Sequence, residues 1–473
     1  MRAEAYQVVM AQREEIMRSS VGIDYERYRT GVVAFDYERL FSDTGYDIEQ
    51  IRQIQSHTAV GDTPLVELHN ITALIRLLGG PEKGARLFIK DEAANPSGSF
   101  KDRRASLSIH EALKRGYKGV VAATSGNYGA AVASQAAKAG LRCILLQEAF
   151  DSRGVAQPEI AEKSRACEAF GAEVVRLSVG PELFMVFLDT LHETGYFNAS
   201  LYTPYSILGV ETLGYELALQ VHKRCGRFPD AVIATHAGGG NVTGTARGLL
   251  KAGANDCQMV AASVDLSGLH MASDRDFNRK SFTTGHTGFS IPFTIFPDRA
   301  DVPRNAARSL RYMDRFVTVT QGEVFYATQL LAELEGMERG PAGNTSLAAA
   351  IAIASTMERE QILVVQETEY TGAGKHPLAQ LNLALEMGIE VVRGDPRDSC
   401  PGSSIVIPEH PSQLRVVEMD LEHLRQRYLS QTLDALPETA VLTDNDIDFL
   451  AADTGTSRHY IEEKVYDNHG KKG

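Results

Sequence analysis

Cysteine is scarce in this chain and falls in no paired pattern. The five residues, Cys143, Cys167, Cys225, Cys257 and Cys400, are scattered, odd in number and never spaced C-x-x-C. That argues against both a cysteine-based zinc site and a disulfide framework, and fits a reducing compartment. A hydrophobic run long enough to cross a bilayer is also missing. The first residues, MRAEAYQVVMAQREEIM, are charged throughout and lack the apolar core of a secretory signal, so a cytoplasmic protein is expected. The N-x-S/T matches at Asn70 and Asn198 are then fortuitous. Excess positive charge is absent: 48 Lys and Arg against 61 Asp and Glu give a net charge of −13. This argues against a general nucleic-acid or anionic-membrane surface and leaves room for a local basic pocket. There is no short-period repeat and no low-complexity segment.

What the chain does have is length and apolar content. Its 473 residues, 43% of them hydrophobic, are ample for a large core in two or three domains. Residues 1–57 are polar, poor in glycine and helical in spacing, as in YDIEQIRQIQ. From GDTPLVEL (Gly61 to Leu68) onward, short β-rich runs alternate with helical stretches. The strand-like runs are RLFIK, GVVAAT, CILLQE, EVVRL, AVIATH, MVAASVD, ILVVQET and IEVVR. AAVASQAAKAG and TSLAAAIAIASTMERE read as helices. Such alternation predicts an α/β fold with mostly parallel strands, in two lobes because the units are too many for one small sheet. Residues 266–316 are rich in Gly, Pro, Asp and Arg and read as a long irregular excursion. Beyond about 400 a Pro-bearing linker leads to polar helices, with Thr443 or Asp444 as a helix cap. This tail reads as an appendage.

Ligands of open α/β sheets bind at the carboxyl ends of the strands, and four such ends carry unusual residues. In NPSGSFKDRRA, Lys101 falls in the first turn of a helix, with Ser99 as its expected cap. The positive end of the helix dipole favours a neutral amine there, and a partly desolvated lysine is a good carbonyl nucleophile. A lone lysine is ordinarily a solvated residue, here beside Asp102, so the other three ends must decide. In ATSGNYGAAVA, Gly126 and Gly129 admit close approach to the backbone, amides at the helix start suit a carboxylate, and Asn127 offers a donor and an acceptor. In THAGGGNVTGTARG, three glycines between strand and helix suit a phosphate. Their spacing matches neither the dinucleotide nor the nucleoside-triphosphate pattern. In QETEYTGAGKHP, Thr368, Thr371, Gly372 and Gly374 place hydroxyls and open space at a strand end. One lysine nucleophile, one carboxylate loop, one phosphate loop and a late hydroxyl together fit a phosphorylated aldehyde, and pyridoxal 5′-phosphate is such a cofactor.

These segments resemble the fold-type-II (tryptophan synthase β-like) pyridoxal-phosphate enzymes, the threonine synthase and cysteine synthase superfamily. NPSGSFKDR is similar to their lysine motif, GDTPLVEL to their opening segment, TSGNYGAA to their S-G-N loop and AGGGNVTG to their phosphate loop. GPAGNTSLAAA and TGAGKHP are similar to later elements of threonine synthases, in the expected order over residues 58–395. The resemblance implies that Lys101 holds the cofactor aldehyde and that Asn127 bonds its ring hydroxylate. Gly238, Gly239, Gly240, Asn241 and Val242 would supply phosphate-binding amides. Thr371 would face the pyridine nitrogen, and Thr124, Ser125, Gly126 and Tyr128 would surround a substrate carboxylate. A neutral hydroxyl at the ring nitrogen tempers the electron sink and suits chemistry beyond the α-carbon.

GIDYERYRTGVVAFDYERLFSDTGY and DLSGLHMASDRDFN extend the resemblance to the family of pyridoxal-phosphate-binding β subunits of 2-amino-4-oxopentanoate thiolases. That family implies coenzyme A as co-substrate and a small α subunit as partner, with two copies of the β subunit in the complex. It implies acetyl-CoA and alanine, the D-enantiomer, as products, in ornithine degradation. The implied organisation is an N-terminal helical extension (1–57), a catalytic core (58–398) with a smaller lobe near 100–205, and a C-terminal helical appendage (399–473). His270, His286 and Arg299 are candidates to stabilise charge on the substrate ketone. Arg275, Arg279, Lys280, Arg299, Arg304, Arg308 and Arg311 could meet coenzyme A phosphates, although acidic residues are interleaved with them. The competing readings are a threonine synthase-like replacement or elimination enzyme acting alone, and a cofactor-binding sensor with no catalysis.

Overall fold

Alternation of side chains along the strands builds the larger lobe. Leu87 and Ile89 enter one apolar core while Phe88 between them enters another. The same holds for Val260 and Ala262 against Met259 and Ala261, and for Leu363 and Val365 against Ile362 and Val364. Strands buried on both faces read as unbroken apolar runs, which is why these segments stand out in the sequence. In the computed structural model of the chain, residues 2–124, 126–150, 154, 158–178, 182–265, 272–273, 279–280, 302–370, 377–400, 403–437 and 439–472 are described.

The strands used below are β1 (Leu65–Glu67), β2 (Arg86–Asp91), β3 (Gly119–Ala123), β4 (Arg142–Phe150), β5 (Glu173–Ser178), β6 (Phe197–Asn198), β7 (Ala231–Thr235), β8 (Gln258–Val264), β9 (Arg315–Val319), β10 (Ile362–Glu367) and β11 (Val417–Glu418). A seven-stranded sheet runs β1-β2-β10-β7-β8-β9-β11. Its five central strands are parallel, and β1 and β11 close the two edges antiparallel. Helices 69–79, 321–335 and 341–354 cover one face, and helices 204–225, 240–251 and 421–434 the other. A second sheet, β5-β4-β3-β6, is parallel throughout. On one side it packs on helices 101–114 and 127–139, and on the other on Phe187, Leu188 and Leu191 with Ile16 and Met17 of the N-terminal region.

The eight strand-like runs are all strands, shifted by a residue or two at their ends. β9 was not expected, because its residues abut the irregular excursion. Residues 390–393 and 404–407 pair as a separate parallel ribbon. The N-terminal region is helical at 2–11, 13–21, 37–43 and 48–56. Of the excursion, residues 266–271, 274–278 and 281–301 lie outside the described residues, and 272–273 pair with 279–280.

The C-terminal tail is bound into the fold rather than hung from it. β11 hydrogen-bonds to β9. Thr443, not Asp444, is the helix cap, in a reciprocal capping box with Asp446. Asp446 also accepts the backbone N–H groups of Val33 and Ala34, each at 2.8 Å, so both chain extremities meet.

Candidate active site

The strand-end loops of both sheets converge on one cavity. Ala123 ends β3 and Thr124 follows it, Thr235 ends β7 and His236 follows it, Ser263 and Val264 end β8, and Thr368 and Glu369 follow β10. Lys101 enters from the first turn of helix 101–114. Ser99 does not cap that helix: the cap position is Phe100, and the Ser99 hydroxyl is buried without a hydrogen-bond partner. Pairing fixes the turn instead. Phe100 N–H donates to Thr368 C=O at 3.1 Å and Tyr370 N–H to Gly98 C=O at 2.8 Å, while Asp102 accepts Ser97 N–H at 2.7 Å. The motif that holds Lys101 is thus stitched to the segment after β10.

Lys101 is partly accessible because it faces the cavity, yet protein surrounds it on its other sides. That desolvation pushes its amine well below the ordinary lysine range, and the Arg104 and Lys163 cations push the same way, while the Glu369 carboxylate opposes them. A neutral amine poised in a cavity is what attack on an aldehyde requires. Its nitrogen lies 4.3 Å from the Phe100 ring centroid.

Opposite stands the glycine loop. Gly239 has φ +85°, a left-handed conformation that costs glycine nothing and other residues much. Helix 240–251 begins directly after it, so its first amides have no intrahelical acceptor and face the loop. A Cβ on Gly240 would overlap the Arg104 guanidinium, so the absence of a side chain there is what lets Arg104 come this close to the loop. Asn241 is held by its side chain: Nδ2 donates to Thr235 C=O at 3.3 Å, and Oδ1 accepts from Gln366 at 2.7 Å. Its side chain is therefore spent on structure and its backbone remains for a ligand.

Of the residues expected from sequence, Lys101, Thr124, Gly126, Asn127, Tyr128, Gly238, Gly239, Gly240 and Asn241 share the cavity wall. Val242 does not; its side chain is buried in the apolar core. Tyr128 spends its hydroxyl on Ala199 C=O at 2.7 Å. Ser125 and Thr371 lie outside the described residues, as do His270, His286 and Arg299. Arg308 is not available for coenzyme A: it is buried, paired with Asp453 and hydrogen-bonded to Tyr428 at 2.7 Å. Arg304 lies over the Phe35 ring at 5.4 Å. Arg104, Glu148, Lys163, Tyr202, His236 and Glu369 also line the cavity and were not singled out. Their signal in the sequence is weak, since each is an ordinary polar residue until the fold brings it to the strand ends.

Beneath the site lies a buried charge network. Arg103, one residue beyond Asp102 and pointing away from the cavity, donates to Glu92 at 2.7 and 2.8 Å and to Glu216 at 3.1 and 3.3 Å. Glu216 in turn accepts the amides of Asp62 and Thr63 at 3.0 and 2.9 Å, and Glu92 accepts the Thr63 hydroxyl at 2.6 Å. GDTPLVEL and NPSGSFKDR are therefore one structural unit.

Residues 57–367 match the family of pyridoxal-phosphate dependent enzymes. A 2-amino-4-ketopentanoate thiolase beta subunit from an unknown prokaryotic organism is 61% identical over 463 residues, 98% of this chain and 98% of that one. Its counterpart from Acetoanaerobium sticklandii is 58% identical over 466 residues, 98% and 99% of the two chains. This chain belongs to the pyridoxal-phosphate dependent enzymes, in the family of 2-amino-4-ketopentanoate thiolase β subunits. The fold of these enzymes is seen in the crystal structure of a threonine deaminase from T.th., which aligns with a TM-score of 0.55 at 24% identity over 69% of this chain and 98% of that one. The cavity of this family member fits pyridoxal phosphate on its own features. A desolvated amine suits the aldehyde, and the unpartnered Asn127 Oδ1 and the glycine cradle mark space for a polar, anionic guest.

Proposed function

We propose that this chain is the pyridoxal-phosphate-binding subunit of a thiolase that cleaves 2-amino-4-oxopentanoate (the 2-amino-4-ketopentanoate of its relatives' name) with coenzyme A. The observation that carries the proposal is a likeness to thiolase β subunits that runs through 98% of the chain, extensions included. The net change adds the coenzyme A sulfur to C4 and a hydrogen to C3 as the C3–C4 bond breaks, leaving acetyl-CoA and alanine, in ornithine degradation and with D-alanine as the enantiomer. When bound, pyridoxal phosphate supplies an electron-withdrawing ring attached at the substrate nitrogen, which acidifies the neighbouring C–H bonds.

The chain's own residues do the rest. Lys101 would hold the cofactor and, once displaced by the substrate amine, its neutral nitrogen can take and return the proton at the α-carbon. Amides of Gly238, Gly239, Gly240, Asn241 and Val242 would hold the phosphate at the helix start. Asn127 would bond the ring oxygen and Thr371 face the ring nitrogen. Thr124, Ser125, Gly126 and Tyr128 would form the carboxylate subsite, next to the helix that begins at Asn127.

In this reading residues 58–398 are the catalytic core, with a smaller lobe near 100–205, and 1–57 and 399–473 are extensions. The second sheet, contained within 119–198, supports the inner boundary. A small α subunit is the partner, which the relatives' designation as β subunits supports, and the reading includes two copies of this subunit in the complex. No described helix is long and apolar enough to cross a membrane, which agrees with a cytoplasmic enzyme.

The test is thioester formation from 2-amino-4-oxopentanoate and coenzyme A, with and without the small subunit. Acetyl-CoA formed only with both subunits is the expected result. No thioester in either case, with phosphohomoserine turned over instead, would replace the thiolase with a threonine synthase-like reaction.

A further inference from the structure

Arg104 is a cation placed where a protein does not ordinarily leave one. Its side chain is buried at 2% exposure. Among the described residues no carboxylate pairs with it. Its one hydrogen bond among these residues runs from Nη1 to Leu201 C=O at 3.3 Å, and Nε is buried with no partner there. Burial pulls its guanidinium below the ordinary arginine range, with only the Tyr202 and Tyr128 hydroxyls acting the other way. Neighbouring arginines show what this chain usually does: Arg103 holds two carboxylates and Arg247 is paired with Glu211 and Glu38. An unpaired buried charge is costly, and an anion that arrives later removes the cost.

Position says which anion. Arg104 lies one helical turn beyond Lys101, on the same face of helix 101–114. Its Nη2 occupies the space that a Cβ on Gly240 would need, and Tyr202 closes on Gly238 in the same way. A planar guanidinium beside free amides at a helix start is suited to a phosphate monoester, which it can bind with two parallel hydrogen bonds.

We propose that Arg104 completes the phosphate subsite, binding the cofactor's phosphate ester together with the glycine-loop amides. The proposal rests on the reading that this cavity holds pyridoxal phosphate. It makes Arg104 a ligand specific to the phosphate rather than to the ring, and it explains why a second basic residue of helix 101–114 joins the attacking lysine in the cavity wall.

The test compares pyridoxal phosphate with pyridoxal, which lacks the phosphate. Full-length protein stripped of cofactor is titrated with each, following the visible absorbance of the bound form, for wild type, Arg104→Met and Arg104→Lys. Arg104→Met is expected to weaken pyridoxal phosphate binding by about 10- to 100-fold more than pyridoxal binding, the range for a charge-assisted hydrogen bond. The pyridoxal titration reads separately the effect of the lost charge on the Lys101 amine, which both ligands share. Arg104→Lys should recover part of the loss. Inorganic phosphate should compete with pyridoxal phosphate in the wild type and far less in Arg104→Met. The cofactor-free methionine variant should melt no lower than wild type, since it loses an uncompensated charge. Equal loss for both ligands, or loss for neither, would overturn the phosphate role. Failure of the wild type to bind pyridoxal phosphate would instead overturn the cofactor reading on which the proposal rests.

Discussion

Asn127 donates from Nδ2 to Glu369 Oε2 at 2.7 Å, while its own Oδ1 stays buried with no hydrogen-bond partner. Both residues line the cavity. Asn127 follows β3 of the smaller sheet, and Glu369 follows β10 of the larger one. An amide nitrogen carries two hydrogens, so one remains for a ring oxygen while the other is fixed by Glu369. Glu369 thereby orients the residue assigned to the cofactor ring. It also favours the charged form of Lys101, against desolvation, Arg104 and Lys163.

Glu369→Gln removes the charge and keeps an acceptor for Asn127. Without the carboxylate, Lys101 gives up its proton more readily, so its ionisation moves to lower pH. Capture of pyridoxal phosphate needs the neutral amine, and the acid limb of the capture rate against pH should move down with it. Stopped-flow absorbance across the pH range checks this. An acid limb that stays in place would show that Glu369 does not act on Lys101.

Most of the strands were legible, though not their order in the sheets, because a sheet buried on both faces writes itself as apolar runs punctuated by glycine. The lysine and glycine motifs were legible for a related reason: a turn that admits a ligand to the backbone needs particular small residues. Arg104 and Glu369 were not. A buried unpaired arginine looks like any surface arginine until its neighbours are known, and helix 101–114 is rich in charge that the fold then buries. Ser99 looked like a cap by type, but pairing of residues 98–100 with 368–370 supplied the turn. The role of Arg308 was misread because its partner, Asp453, lies 145 residues away.

Lys101 carries a stability cost that pH should reveal. Its folded ionisation lies well below the ordinary value of 10.5. Between those two points the unfolded chain binds a proton that the folded chain does not, so cofactor-free wild type gains stability as pH rises through the window. Lys101→Met has no such proton to lose. It should melt above wild type at neutral pH, and the two should converge above about pH 10.5. Melting curves from pH 6 to 11 test the sign, and a constant gap would contradict it. The same variant should form no borohydride-reducible bond to the cofactor and lose turnover by on the order of 10²–10⁴-fold or more.

Arg103 tests whether the motif unit below the site is structural. Its guanidinium holds Glu92 and Glu216, all three buried. Burial alone would raise the Glu216 carboxyl, but Arg103 and Lys90 hold it down to about 2. That contribution is present above the unfolded value near 4.5 and is lost as pH falls through about 2. Arg103→Met leaves two carboxylates without their main partner and should cost about 3–5 kcal/mol in urea unfolding at neutral pH. It should also move the loss of stability in acid to higher pH, because Glu216 then binds its proton sooner. Adding Glu92→Gln should restore part of the stability, since the second change removes one stranded charge and a double-mutant cycle isolates their coupling. If Arg103→Met unfolded within about 0.5 kcal/mol of wild type, as a surface change does, the network would not be what joins the two motifs.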